Sequence, residues 1–312
     1  MEADKKNKVI EAAKLYYLLD YTQNEIAKKL GVSRPTVSRM LQTAKKEGIV
    51  QIKISGMEEN LETLEAELEN KYKLKKALIA PIPQYEDHII KTTIGLKAAE
   101  YLDSIVQDGD IIGVTWGTTI YHVAVELKNK TVNNVRIVQL KGGISHSETN
   151  TYVSEILYLF GKAFQTTPLH LPLPAIVDHV VVKQAMMADR HIKRIIDTGK
   201  EANIALLTCG PIKSESLLFK LGYFTDEDME MLYSKAVGDI CSRFFDQEGQ
   251  ICNNSLNERT LGIDLSELKE KEYSILVAGG SQKVDSIHAA LRGAFANVLI
   301  TDQYTAKLVL EK

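Results

Sequence analysis

TQNEIAKKLGVSRPTVSRMLQ, residues 22–42, decides how this chain begins to fold. Thr22 and Glu25 stand at capping-box spacing, so the Thr22 hydroxyl can accept the Glu25 N–H while the Glu25 carboxylate reaches back. Ile26, Ala27 and Leu30 form the apolar side of the helix that follows, and Gly31 ends it in the left-handed conformation that glycine adopts cheaply. Ser33 is placed to cap a further helix. Pro35 sits in that helix's first turn, where a missing N–H loses no bond. Val37, Leu41 and Ala44 then face inward. Arg34, Pro35, Thr36, Ser38, Arg39 and Gln42 remain as the candidate DNA-reading surface. Two short helices joined by a Gly-Val turn, the second with a basic polar face, spell a helix-turn-helix. Such a motif places the N-terminal half of its second helix in the major groove. Arginine there can bond guanine at two points, and serine or threonine can reach base edges or phosphates.

Working outward, residues 8–20 (KVIEAAKLYYLLD) predict a preceding helix with Val9, Ala12, Ala13, Tyr16 and Leu19 on one face. Downstream, Gly48 closes the third helix, and Ile49–Ile54 alternates as a strand. Residues 1–55 therefore read as a winged helix-turn-helix. The competing reading is a small helical interaction module whose polar face is merely solvated. Charge agrees with the first reading: residues 1–55 hold eleven Lys/Arg against six Asp/Glu, while the remainder carries eight more acids than bases.

Residues 56–73 read as a helical linker. Leu61, Leu64 and Leu68 are spaced three and four apart, which suits either a dimerisation seam or a helix packed on its own domain. From residue 74 to 312 strand and helix alternate. Strands are predicted at Ala77–Pro81, Asp110–Thr115, Val135–Leu140, Asn203–Thr208, Ser274–Ala278 and Val298–Thr301. The fold class is α/β, with a doubly wound, mainly parallel sheet in this second domain. Sites in such folds lie at the carboxyl ends of strands. Four of these ends carry glycine: Gly117-Thr118-Thr119, Gly142-Gly143, Gly210 and Gly279-Gly280. Glycine lets backbone approach a phosphate, and helix N-terminal amides bind anions. No Walker pattern and no G-x-G-x-x-G occurs, which speaks against nucleotide triphosphates and dinucleotides.

The 312 residues are 45% hydrophobic and carry a formal net charge of −3. That composition fits a globular protein of two domains. No apolar run approaches the roughly 18–20 residues that span a bilayer. The N-terminus is charged, and Cys209, Cys241 and Cys252 show neither a disulfide framework nor zinc spacing. These features predict a cytoplasmic protein without metal or cofactor.

SRPTVSR at 33–39, VTWGTT at 114–119, KGG at 141–143, RFFDQEG at 243–249 and AGGSQKVDSIHAAL at 278–291 together resemble the SorC family of bacterial sugar-responsive transcription regulators. The resemblance spans nearly the whole chain and is strongest to the branch that responds to deoxyribonucleosides. It implies operator DNA as one partner and an effector domain related to sugar-phosphate isomerases. It also implies a homo-oligomer, dimer or tetramer, and repression relieved by a phosphorylated sugar, deoxyribose 5-phosphate in this branch. The matching effector contacts fall on Gly117, Thr118, Thr119, Gly142, Gly143 and Lys283, with Asp246 in the matching RFFD segment. Some relatives that bind ring sugars carry arginine near the position of Lys141. A lysine there can attack an open-chain aldehyde to form a reversible imine, or serve as a plain phosphate partner.

A sugar-phosphate isomerase or Schiff-base aldolase with an accessory DNA-binding head is the rival reading. It would use Lys141 and Asp246, but an aldolase also needs a proton relay, and sequence spacing identifies none. Of seven histidines only His146 follows a proposed ligand loop.

Overall fold

A computed structural model describes residues 2–46, 48–50, 61–143 and 149–312. The chain divides into two compact units, residues 1–59 and 60–312.

The first unit contains α1 (Glu2–Tyr17), α2 (Gln23–Leu30) and α3 (Arg34–Lys46). Ala12, Leu15, Ile26, Ala27, Val37 and Leu41 form its core, extended by Val9, Ala13 and Ala44. The capping box closes as the sequence requires: the Thr22 N–H donates to Glu25 Oε2 at 2.8 Å, and Thr22 Oγ1 accepts the Glu25 N–H. The Thr22 hydroxyl donates to Glu25 Oε2 at 2.7 Å, and this bond, with the one from the Thr22 N–H, holds the Glu25 carboxyl below its ordinary range. At the start of α3 the Thr36 N–H points to Ser33 Oγ. One expectation is corrected. α1 ends at Tyr17, Asp20 turns left-handed (φ 55°), and the Tyr21 N–H returns to Leu15 O at 3.0 Å. The chain reverses there, so Leu15 takes the core position and Leu19 is left 59% exposed. The predicted strand Ile49–Ile54 lies mostly outside the described residues.

The second unit runs α4 (Leu61–Tyr72), β1 (Lys76–Ala80), α5 (Asp87–Ile105), β2 (Ile111–Val114), α6 (Thr118–Glu126), β3 (Arg136–Gln139), α7 (Val153–Ala163), α8 (Val180–Ala188), α9 (Arg190–Glu201) and β4 (Ile204–Leu207). It continues with β5 (Gly210–Pro211), α10 (Asp226–Lys235), β6 (Gly238–Ile240), β7 (Arg243–Phe245), α11 (Asn254–Arg259), α12 (Leu265–Leu268), β8 (Tyr273–Val277), α13 (Val284–Arg292), β9 (Val298–Asp302) and α14 (Gln303–Leu310). A six-stranded parallel sheet has the order β1-β9-β8-β4-β2-β3. Its strands alternate between two cores, as a period of two demands. Ile112, Leu206, Ile275 and Ile300 join α5, α6 and α7 on one face. Ile111, Leu207, Leu276 and Leu299 join α4, α13 and α14 on the other. The chain leaves β2 for β3 on one side and returns to β4 on the other. That reversal opens a crevice at the carboxyl ends of β2 and β4.

A second sheet, β5-β6-β7, is antiparallel and escaped the sequence reading. Its strands have two or three residues, too few to show a period. β6 and β7 are joined by Cys241 and Ser242, both left-handed at φ 55° and 62°. Two such residues fit a type I′ hairpin turn, although asparagine and glycine usually occupy those positions.

The domain boundary moves. α4, read as part of a linker ending at residue 73, packs into the second unit. Leu68 is fully buried among Leu74, Ala77 and Ile79, and Leu61 and Leu64 lie partly covered against the same core. Leu68 is thus spent within its own domain and is not free for a seam. α4 also covers the outer edge of β1: Glu69 Oε1 accepts the Ala77 N–H at 2.9 Å, and Glu65 Oε1 accepts the Ile79 N–H at 2.8 Å. An uncovered edge strand would offer those amides to other chains. Replacing Glu65 and Glu69 together by alanine should therefore lower stability by roughly 1–3 kcal/mol, because the amides lose charge-assisted acceptors. Urea unfolding checks this, and a double variant as stable as the parent would show that water serves β1 equally well.

Candidate functional site

A cleft of about 640 Å³ lies at the carboxyl edge of the parallel sheet. Each wall is the continuation of a strand. After β2, Thr115 ties its hydroxyl to Leu206 O of β4 at 3.1 Å, and Gly117, Thr118 and Thr119 turn into α6 along the cleft. The first amides of any helix lack intrahelical acceptors and suit an anion. After β8, Gly279 and Gly280 lead into Ser281–Lys283 and then α13. The Gly280 N–H is held by Thr305 Oγ1 at 2.8 Å, and that hydroxyl bonds Asp302 Oδ2 at 2.6 Å. Lys283 spans the crevice. Its Nζ lies 3.3 Å from Thr119 Oγ1 and 3.4 Å from Thr208 Oγ1, so the ends of β2, β4 and β8 meet at one ammonium. Burial lowers its pKa.

Lys141 enters from the end of β3 and is 5% exposed. Its Nζ stands 3.7 Å from the centroid of the Trp116 ring. No hydrogen-bond acceptor for this Nζ is present among the described residues. Burial pulls its pKa down, offset in part by Asp239 and Cys241. Its backbone is fixed on both sides. Gln139 Nε2 donates to Lys141 O at 2.7 Å, and Lys141 bridges to Gly262 in an antiparallel pair. The Gly262 segment is in turn held by Arg243, 1% exposed, which donates to Ile263 O (2.7 Å), Asn257 O (3.0 Å) and Gly262 O (3.2 Å) and pairs with Asp264 at 2.7 Å.

Gly117, Thr118, Thr119, Lys141 and Lys283 thus line one cleft; three other expected residues do not. The Gly142 N–H is taken by Leu261 O at 3.1 Å and the Gly143 N–H by Leu173 O at 2.8 Å, so neither amide is available for an anion. These glycines serve packing instead. A Cβ on Gly142 would lie 2.0 Å from Pro174 O, and one on Gly143 2.8 Å from the Trp116 indole nitrogen, which itself donates to Gly142 O at 2.7 Å. Asp246 is also displaced. β7 runs antiparallel to β6 and carries it away from the cleft, where Oδ1 accepts the N–H groups of Glu248 and Gln250 in a turn. Of the acids that do line the cleft, the buried one is Asp239 on β6. The sequence reading missed it because its strand is too short to place. Only its neighbourhood to RFFDQEG gave a signal.

Lys91, Lys213 and Lys220 also line the cleft, so among the described residues five lysines face Asp87, Glu215 and Asp239. The balance favours an anionic ligand. No described histidine lines it, and His146 lies outside the described residues. No described group of three His, Cys, Asp or Glu could hold a metal ion, and no described helix is long and apolar enough to cross a membrane. In the first unit Arg34, Pro35, Arg39 and Gln42 are exposed on α3, with Thr36 and Ser38 half-buried.

The packing role of Gly142 carries an expectation. Gly142→Ala should cost about 1–3 kcal/mol of stability, the usual price of overpacking, because backbone rather than a flexible side chain meets the new methyl. Thermal unfolding of the ligand-free protein measures it. Unchanged stability would return the glycine to a ligand-cradling role.

Residues 57–311 match the sugar-binding domain family, and residues 6–66 match the Crp-like helix-turn-helix domain. The chain is 52% identical over 312 residues to the deoxyribonucleoside regulator of Bacillus subtilis (strain 168), with 99% of each covered. It is 31% identical over 307 residues to the sorbitol operon regulator of Klebsiella pneumoniae, with 97% of each covered. The crystal structure of the full-length sorbitol operon regulator SorC from Klebsiella pneumoniae aligns with a TM-score of 0.76 at 29% identity, covering 98% of both chains. A transcriptional regulator from Streptococcus pneumoniae aligns with a TM-score of 0.76 at 30% identity, covering 81% of this chain and 97% of that one. These relatives are regulators, not enzymes, and the aldolase reading falls. A helix-turn-helix joined to an α/β sugar-binding domain, with relatives of the same length and order, places this chain in the SorC family of transcription regulators.

Proposed function

We propose that this regulator is a repressor released from its operator by deoxyribose 5-phosphate, which Lys141 captures as a reversible imine. The observation that carries the reading is Lys141 itself: a buried ammonium on an aromatic face, without a described acceptor, in a cleft open to a ligand. Desolvation favours its neutral amine, the form that attacks an aldehyde. The first turn of α6, at Gly117, Thr118 and Thr119, together with Lys283, would hold the phosphate. A ligand fixed there would present its open-chain aldehyde to Lys141 at high local concentration. The Bacillus subtilis relative is named a deoxyribonucleoside regulator, and a deoxyribonucleoside contains the same deoxyribose unit. Binding shifts operator affinity only if the sugar prefers one arrangement of the protein over another.

At the operator, Arg34 and Arg39 are the base-reading candidates, supported by Pro35, Thr36, Ser38 and Gln42 along the exposed side of α3. Half-sites repeat about every 34 Å of duplex, so such a head acts in pairs. The regulator is accordingly read as a homo-oligomer, dimer or tetramer.

Borohydride added with deoxyribose 5-phosphate should fix a mass increase on Lys141 that Lys141→Ala lacks. Operator release by the sugar without any adduct on the parent protein would reduce Lys141 to a charge partner. Arg34→Ala or Arg39→Ala should weaken operator binding by roughly 1–3 kcal/mol if the arginine reads a base. Gel-shift titrations at fixed salt decide this, and parental affinity in both folded variants would remove them from the reading surface.

A further inference from the structure

Imine formation poses a proton problem that the Lys141 reading leaves open. The amine must lose a proton to attack, and the carbinolamine must gain one on its hydroxyl before water can leave. Thr118, Thr119 and Lys283 belong to the anion end of the cleft, and no described histidine faces it.

Asp239 is placed for this task. It lines the same cleft as Lys141 and is 6% exposed. Its position is clamped from both sides. The pairing of β5 with β6 sets it opposite Gly210, where a Cβ would lie 2.3 Å from Asp239 Oδ1. On the other side, the left-handed Cys241–Ser242 turn folds the Ser242 N–H back onto Asp239 Oδ2 at 3.1 Å. Two consecutive non-glycine residues in that conformation store strain, which persists where the surrounding structure enforces it. Here the turn fixes a buried carboxylate in the cleft that Lys141 also lines, close enough for each charge to act on the other but without a direct ion pair. Around it stand Lys141 from β3, Lys283 from the start of α13, and the thiols of Cys209 and Cys241, with Arg243 next on β7 already engaged by Asp264. Burial pushes both thiols up to about 12, so they stay protonated and uncharged. Burial also raises the Asp239 carboxyl and lowers the Lys141 amine, moving both toward their neutral forms.

We infer that Asp239 carries the proton for Lys141, taking it from the ammonium and delivering it to the hydroxyl that departs as water. The inference rests on the imine reading of Lys141. The Lys141 ammonium passes one proton to the Asp239 carboxylate through a water between them, since no direct bond joins the two. The free amine adds to the aldehyde carbon, and the amine proton moves to the former carbonyl oxygen, giving a neutral carbinolamine. Asp239 then protonates its hydroxyl; the C–O bond breaks, water leaves, and the nitrogen lone pair forms the C=N bond of a protonated imine facing the Asp239 carboxylate. Overall, ammonium and aldehyde become iminium and water, with charge unchanged. The reverse path, with Asp239 drawing a proton from attacking water, releases the sugar. A sensor gains from this, because its occupancy can then follow a falling effector concentration.

The test uses the full chain mixed with deoxyribose 5-phosphate and quenched with borohydride at successive times, the adduct being read by intact mass. Asp239→Asn keeps an acceptor for Ser242 but cannot carry a proton. Its adduct should form about 10²-fold more slowly or worse, while inorganic phosphate raises the melting temperature of parent and variant alike. The parent rate should also rise and then fall with pH, because the Lys141–Asp239 pair acts only while it holds the one proton it shuttles, carrying a second at low pH and none at high pH; the variant should lose the alkaline fall. An Asp239→Asn protein that reacts at the parental rate overturns the inference and leaves the Lys141 imine standing. Absence of adduct on the parent overturns the imine reading instead. Should the variant fail to fold, the parent profile alone decides: a rate that never falls at high pH excludes Asp239 as the donor.

Discussion

The parallel sheet must be covered on both faces, and this constraint shapes everything else in the larger unit. Ile112, Leu206, Ile275 and Ile300 face one core while Ile111, Leu207, Leu276 and Leu299 face the other, so no strand interior offers room for a polar ligand. Chemistry is displaced to the carboxyl edge, where each strand turns toward its crossover helix. The reversal of direction between β2 and β4 separates two of these turns, and the cleft opens between them.

Placing charge at that edge is costly, and the fold meets the cost in two ways. Arg243 is deeply buried but saturated, with backbone carbonyls of residues 257, 262 and 263 and the Asp264 carboxylate around its guanidinium. Its role is architectural: it fastens the segment to which Lys141 is bridged. Lys141 is handled differently. An aromatic face replaces hydrogen bonds, and the cation–π contact stabilises the ammonium without occupying its nitrogen. Arg243 is fixed by its bonds, whereas Lys141 is held by its backbone and an aromatic face.

The cleft is also joined to the helix that follows the DNA-binding unit in the chain. Gly280 bonds Thr305, and Thr305 bonds Asp302 at the start of α14. At the other end of α14, Val309 O accepts from the Tyr72 hydroxyl at 2.9 Å and Leu310 O from Lys71 Nζ at 2.7 Å, both on α4. α14 therefore touches the glycine loop with one end and α4 with the other.

Local chemistry made much of this legible. Thr22, Glu25, Gly31, Ser33 and Pro35 fix two helices through bonds among near neighbours, so the helix-turn-helix could be read residue by residue. The six long strands announced themselves as apolar runs, and the glycines that end some of them led by the strand-end rule to Gly117, Thr118 and Thr119, while Lys141 and Lys283 came from the family resemblance. What sequence could not decide was which partner a strand-end group had already taken. Gly142 and Gly143 look like a phosphate cradle until Leu261 and Leu173, more than twenty residues away, accept their amides. Asp246 and Asp239 are seven residues apart, and only the hairpin reversal between β6 and β7 determines which one lines the cleft. The sequence by itself determined the helix-turn-helix, the six parallel strands and the edge of the sheet where chemistry gathers, because caps, periods and turns are local. The tertiary structure alone decided which acid is buried in the cleft with Lys141, because hydrogen-bond partners and burial are set by segments that are distant in the chain.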